Sequence, residues 1–139
     1  MIMDKMVVDA DGCVAGRMAS KVAKELLNGK AVQVVNAEKA LVSGDQKYTQ
    51  HFFLEKVQRG DPYHGPFYPK RPDLMLSRII RGMLPYKTSR GMSALKRLHV
   101  YISIPEELKG SQAVRFEVKR PVKCITLGEL AAHVGGWKA

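Results

Sequence analysis

The feature that most constrains the fold is a change of apolar period near the start of the chain. Residues 6–10 (MVVDA) form a short β-branched run, the pattern of a buried strand. Asp11 and Gly12 make the turn after it. From about Ala15 the period changes to that of a helix. Ala19, Val22, Ala23, Leu26 and Leu27 fall at i, i+3, i+4, i+7 and i+8, and Arg17, Ser20, Lys21 and Lys24 lie on the other face. Asn28-Gly29 supplies a left-handed stop. Residues 31–35 are a second apolar run and a second buried strand. Strand, helix and strand within about thirty residues imply two parallel strands joined by a right-handed crossover.

The rest of the chain builds on that unit. Residues 36–39 turn, and 40–43 can add a short third strand before Gly44-Asp45. Residues 48–59 predict a helix that packs Phe52, Phe53 and Val57. Residues 60–72 (GDPYHGPFYPKRP) hold four of the seven prolines, which fix φ and remove donors, so this segment is an extended loop. It carries Tyr63, His64, Phe67 and Tyr68. Two readings stand for these rings: they stack on unpaired bases, or they pin the loop to its own core. In the next stretch, Met75, Leu76, Ile79, Ile80, Met83 and Leu84 recur at helical spacing until Pro85 stops them. Thr88 or Ser89 can cap a second helical pattern through Gly91, Ala94, Leu95 and Leu98.

Residues 99–104 alternate Val100, Ile102 and Ile104 as a strand ended by Pro105, and 106–109 suit one helical turn. Residues 114–120 alternate Val114, Phe116 and Val118 with charges, as an extended and half-exposed segment does. Thr126-Leu-Gly-Glu129 is a capping-box pattern ahead of Leu130, Ala131 and Val134. With no internal repeat or low-complexity linker, residues 1–139 read as one domain. It includes a Pro/aromatic loop at 60–72 and a basic helical segment at 72–98.

Charge is concentrated in one place. The formal net charge is +10, from 23 basic and 13 acidic side chains. Residues 56–97 hold ten basic and two acidic residues, a net of +8, and the remaining residues hold 13 and 11, a net of only +2. A single polyanion-facing surface on an otherwise balanced domain explains this. The plainer alternative is a solvated face, but such faces usually mix both signs. An anionic membrane would also attract the segment. Yet no apolar run reaches about 18 residues and no signal peptide is visible, so no membrane partner is expected.

Cys13 and Cys124, beside Val14 and Ile125, are too few for a disulfide framework and read as buried free thiols in a reducing cytoplasm. His51, His64, His99 and His133 show no metal-ligand spacing with them, so neither metal nor cofactor is expected. An enzyme remains the competing reading. Gly12-Cys-Val-Ala-Gly16 lies where dinucleotide folds hold pyrophosphate, and Glu38 follows the second strand. The fingerprint, however, needs glycine where Val14 stands. Asp9 and Asp11 are weak grounds for paired acid-base chemistry. No Ser-His-Asp or Cys-His constellation can be assembled.

The segments RGMLPYKTSRG (81–91) and VVDADGCVAGRMAS (7–20) resemble the large-subunit ribosomal protein L-thirteen family. The first is similar to its R/K-G-M-L-P signature, the second to its V-D-A-x-x-x-x-x-G-R-L/M-A-S opening. VVNAEK and LVSGDQ match the family's second strand and following turn. The resemblance covers essentially the whole chain. Without the N-terminal extension of bacterial members or the helical tail of eukaryotic ones, and with its ending TLGELAAHVGGWK, the chain resembles the archaeal branch.

The resemblance implies a three-layer α/β/α fold with a four-stranded, mainly parallel sheet in the order 3-2-1-4, with the basic helix-turn-helix as an insertion. It implies a structural, non-enzymatic role in the cytoplasm, within the large ribosomal subunit. The expected partners are large-subunit ribosomal RNA and neighbouring large-subunit proteins, with support of subunit assembly and no small-molecule substrate. By motif it assigns RNA contact to Arg17, Arg81, Gly82, Lys87, Arg90 and Gly91. Charge and placement add Lys21, Lys47, Tyr48, Arg59, His64, Lys70, Arg71, Arg78 and Arg97.

Overall fold

The opening β-α-β unit forms as the apolar periods require. The computed structural model describes residues 4–116, 119–135 and 137. In it β1 (Lys5–Asp9) leads to α1 (Ala15–Leu27) and on to β2 (Ala31–Val35). β1 and β2 are parallel, with Val8 opposite Val34. Met18, Val22 and Leu26 of α1 are fully buried, each contributing about 1.5–3 kcal/mol by leaving water. The helix ends where Gly29 adopts φ +96°.

Next come β3 (Leu41–Ser43), α2 (Gln46–Gln58), α3 (Pro72–Gly82) and α4 (Ser89–Lys96). The chain closes with β4 (Leu98–Val100), β5 (Cys124–Thr126) and α5 (Leu127–His133). α2 starts two residues earlier than its apolar pattern. α5 opens on the expected capping box: the Thr126 hydroxyl accepts the Glu129 N–H at 3.2 Å, and the Glu129 carboxylate accepts the Thr126 N–H at 3.5 Å.

Of the four strands expected in the order 3-2-1-4, three form the main sheet. Three parallel strands form, in the order β1-β2-β4, with Val32 opposite Leu98. β3 instead pairs antiparallel with β5. Asn36 at φ 57° and a 3-10 turn at Ala37–Lys39 swing the chain off the sheet, and the Leu41 N–H donates to the Cys13 carbonyl at 2.8 Å. That bond fixes β3 beside the start of α1. On the free edge of β1, Val114 makes one parallel bridge to Val8. Val118 lies outside the described residues.

Two further expectations change. The strand expected over 99–104 stops at Val100, because Ser103 turns the chain at φ 58°. The Glu38 carboxylate holds that turn by accepting the Ser103 N–H at 3.0 Å and its hydroxyl at 3.3 Å. Cys124 is half-buried rather than buried, since β5 is an edge strand; Cys13 is buried as expected.

One face of the sheet is covered by α1 and α3. Val8, Val32, Val34 and Leu98 share one core with Met18, Val22, Leu26, Met75, Leu76 and Ile80 of α1 and α3. On the other face Gln33 is half-buried and His99 is exposed. Val35 on that face is buried and Val7 is half-buried, so the face is partly covered.

Candidate nucleic-acid interface

The basic hairpin is held by backbone packing. Pro72 occupies the first turn of α3, where its missing N–H is not needed. Met75, Leu76 and Ile80 seal α3 into the core, and Leu84 follows them. The Thr88 hydroxyl caps α4 by accepting the Gly91 N–H at 3.2 Å, and donates to the Pro85 carbonyl at 2.8 Å. Gly91 is buried, and a Cβ there would run into the Pro85 carbonyl. Its role is therefore to close the turn, while Gly82 is exposed with open space beside it.

The cations on this hairpin fall into two groups. Arg97, half-buried, donates to the Leu26 carbonyl at 2.6 Å, and Arg90 donates to the Leu27 carbonyl at 3.3 Å. Both cap the C-terminus of α1, where carbonyls lack helical partners and the helix dipole is negative. Arg81, also half-buried, lies 4.3 Å from the Tyr86 ring centroid, and Arg71 pairs with Asp73 at 3.2 Å. Lys70, Arg78 and Lys87 are exposed, and among the described residues no carboxylate pairs with them. Lys96 is likewise exposed without a carboxylate partner among the described residues, and Arg78 also lies 5.8 Å from the Tyr68 ring centroid.

The proline loop brings further groups to the same side. Tyr68 is half-buried edge-on against Phe53, ring centroids 5.9 Å apart, and burial pushes its hydroxyl pKa up. Tyr63 and Phe67 are exposed, at 88% and 67%, and His64 is exposed as well. The core-pinning reading thus holds for Tyr68, while Tyr63 and Phe67 stay exposed. The loop has its own frame: the Asp61 carboxylate accepts the Tyr63 and His64 N–H groups, each at 2.7 Å, and pairs with the His64 ring at 3.0 Å. The His64 side chain, then the His64 and Tyr63 N–H groups, hold the Asp61 carboxyl below its ordinary pKa.

Arg59, Arg78 and Gly82 meet in one cleft of about 410 Å³, together with Lys56. Lys56 is a residue that charge counting failed to single out. Its ammonium sits 4.4 Å from the Phe52 centroid, 5.6 Å from Phe53 and 5.3 Å from Tyr68. The signal was present, because Phe52 and Phe53 precede Lys56 by four and three residues on one helix. Arg17 and Lys21 are exposed on α1, with Lys21 over the Phe116 ring at 5.0 Å. Lys47 and Tyr48 are exposed at the start of α2, apart from the hairpin cleft.

The turn after β1, the enzyme reading's phosphate site, is filled by the protein itself. The Gly12 N–H donates to the Lys39 carbonyl at 3.3 Å, and Arg115 donates to the Asp11 carbonyl at 2.6 Å. Arg115 also lies 2.9 Å from where a Gly12 Cβ would stand. The Asp9 carboxylate accepts the Asp11 N–H and the Asn36 amide, both at 3.0 Å. Glu38, the expected ribose ligand, is occupied with Ser103.

Comparison with known sequences gives the family. The family model of Ribosomal protein L13 matches residues 3–107. The chain is 42% identical to the large ribosomal subunit protein uL13 of Archaeoglobus fulgidus, over 95% of this chain and 88% of that protein. It is 43% identical to the uL13 of Methanopyrus kandleri, over 93% and 86%, and 44% identical to that of Methanosarcina barkeri, over 93% and 96%. This chain belongs to the ribosomal protein L13 family, in its archaeal branch.

Proposed function

We propose that the protein works as a structural constituent of the large ribosomal subunit, holding ribosomal RNA on the face built by α3, α4 and the proline loop. The observation that carries this reading is the set of unpaired cations, Lys70, Arg78 and Lys87, on a frame fixed by buried apolar residues. Lys and Arg release counterions from the RNA backbone, which supplies much of the affinity. Double-helical RNA hides its major-groove edges, so contact rests on backbone, shape and splayed bases. Tyr63 and Phe67 offer exposed rings to such bases.

The remaining predicted contacts take graded roles. Arg17, Lys21, Arg59, His64 and Arg71 extend the basic surface. Arg81 meets RNA from its place on Tyr86, and Gly82 lets the backbone approach. Arg90, Gly91 and Arg97 act mainly by shaping the hairpin. The protein is not an enzyme; it serves in the cytoplasm among large-subunit RNA and neighbouring large-subunit proteins. Among the described residues no helix is long and apolar enough to cross a membrane.

We also read the segment at Val114 as the fourth strand of the sheet. The Val114 N–H donates to the Val7 carbonyl at 2.8 Å, and the Asp9 N–H to the Val114 carbonyl at 3.0 Å. Counting only parallel strands, this gives the order 3-2-1-4. A right-handed crossover would carry residues 101–113 over the face that holds Val35 and supply the third layer.

Ultraviolet crosslinking in ribosomes, followed by mass spectrometry of RNA-bound peptides, tests the assignment. Adducts are expected on peptides spanning 63–71 and 78–90. Adducts confined to β4 and α5 would overturn it.

A further inference from the structure

A second basic cluster stands away from the hairpin. β3 and β5 pair with Ser43 opposite Cys124, the Gly44 N–H donates to the Lys123 carbonyl at 2.9 Å, and the Gln46 amide donates to the Cys124 carbonyl at 3.2 Å. These bonds hold Lys123 beside the start of α2, where Lys47 projects. Lys47, Arg120 and Lys123 line one cleft of about 550 Å³. All three are exposed, and among the described residues none forms an ion pair. Among the described residues Asp45 is the one carboxylate lining the cleft, against three cations. Val122, between the cations, is as exposed as in an extended peptide, at 102%. A projecting segment of this kind adds nothing to the core.

Its position relative to the hairpin gives it meaning. Val14, at the start of α1, bridges to Leu41 of β3. Arg90 and Arg97 bind the other end of α1 at Leu26 and Leu27. α1 has 13 residues, so the two points of attachment stand roughly 20 Å apart along a rigid helix. Arg120 and Lys123 also lie outside the matched residues 3–107 and outside the dense charge of 56–97.

We infer that Lys47, Arg120 and Lys123 bind the phosphate backbone of a second ribosomal RNA segment, so that the protein bridges two RNA segments across the length of α1. This rests on the reading of the chain as an RNA-binding ribosomal protein. Three cations converging on one open cleft suit a phosphodiester chain. A spacing fixed by a sealed helix lets the two contacts report on one RNA geometry.

The test is hydroxyl-radical footprinting on an archaeal large-subunit ribosomal RNA transcript. It compares the wild type, a cleft variant (Lys47→Gln, Arg120→Gln, Lys123→Gln) and a hairpin variant (Lys70→Gln, Arg78→Gln, Lys87→Gln). The wild type should give two separated blocks of protection. The cleft variant should lose one block and keep the other, and the hairpin variant should do the reverse. Thermal melts should be unchanged; if the triple cleft variant is unfolded, Arg120→Gln alone should still weaken its block. A cleft variant with the wild-type footprint would overturn the inference, leaving the cleft as a solvated face or a contact for an acidic protein. If the hairpin variant alone loses protection, the wider RNA reading survives; if neither variant does, that reading fails as well.

Discussion

Helix α1 and the α3–α4 hairpin each bury an apolar stripe in the same core and carry cations outside it, yet those cations answer to different partners. On α1, Arg17, Lys21 and Lys24 are exposed, and the helix's own last carbonyls are served from elsewhere. On the hairpin, Arg90 and Arg97 turn back to cap α1, Arg81 lies on Tyr86 and Arg71 pairs with Asp73. The net +8 of residues 56–97 therefore overstates the charge left for a ligand. A helix end and a phosphate draw on the same guanidinium chemistry, and only the fold decides which of them is in reach.

The largest effect should be shared by both regions. Leu26→Ala in α1 and Leu76→Ala in α3 should each cost roughly 2–5 kcal/mol in denaturant melts, because both are fully buried. If Leu76→Ala costs under about 1 kcal/mol, the hairpin does not share the core of α1, and the comparison breaks. Leu95 is half-buried beside a groove, so its truncation should cost less than either.

Next come the two glycines of the hairpin. Gly91→Ala should destabilise by about 1–3 kcal/mol, since the new methyl meets the Pro85 carbonyl. Gly82→Ala has open space and should be neutral or stabilise by up to about 1 kcal/mol. Equal effects in thermal melts would mean that the turn is not locked by close backbone approach.

The two kinds of cation should then separate. Arg97→Gln should cost about 1–2 kcal/mol, by losing a charged hydrogen bond to Leu26. Lys87→Gln should stay within about 0.5 kcal/mol, as exposed changes do. If the two melts coincide, the capping role of Arg97 is wrong.

The smallest effect is in the proline loop. The folded Asp61 carboxyl has a depressed pKa, so its contribution is present above the ordinary carboxylate range and is lost as pH falls through the lower folded value. Amide exchange at Tyr63 and His64, compared at matched intrinsic rates, should speed up only below about pH 4. Speeding already at pH 6 would point to a different anchor for the turn.

How much of this was legible in the sequence depends on whether local chemistry had a competitor. α1, the capping box at Thr126 and the Thr88 cap were readable because period and cap residues agreed with the fold. Sheet membership was less readable. Leu41–Ser43 is too short and too weakly patterned to name its neighbour, and the Asn36 turn and the bond to Cys13 chose its partner. The strand at 99–104 was overrun by a side-chain contact from Glu38, 65 residues away. In the basic surface the charge was plain, but its division was not, because the carbonyls of Leu26 and Leu27 that claim Arg97 and Arg90 are distant in sequence. Arg120 and Lys123 were hidden by averaging, since the nearly neutral remainder of the chain masks a local cluster.

The central claim is that the free cations of the hairpin hold RNA while its tethered arginines hold the fold. The most direct test is filter binding of an archaeal large-subunit ribosomal RNA fragment at several salt concentrations, for the wild type and for Lys70→Gln, Arg78→Gln, Lys87→Gln together. The account predicts an unchanged melt, much weaker binding, and a plot of log affinity against log salt that is flatter by about 0.7–0.9 for each phosphate no longer neutralised. An unaltered slope in a folded variant would contradict it, and would make these residues a solvated surface.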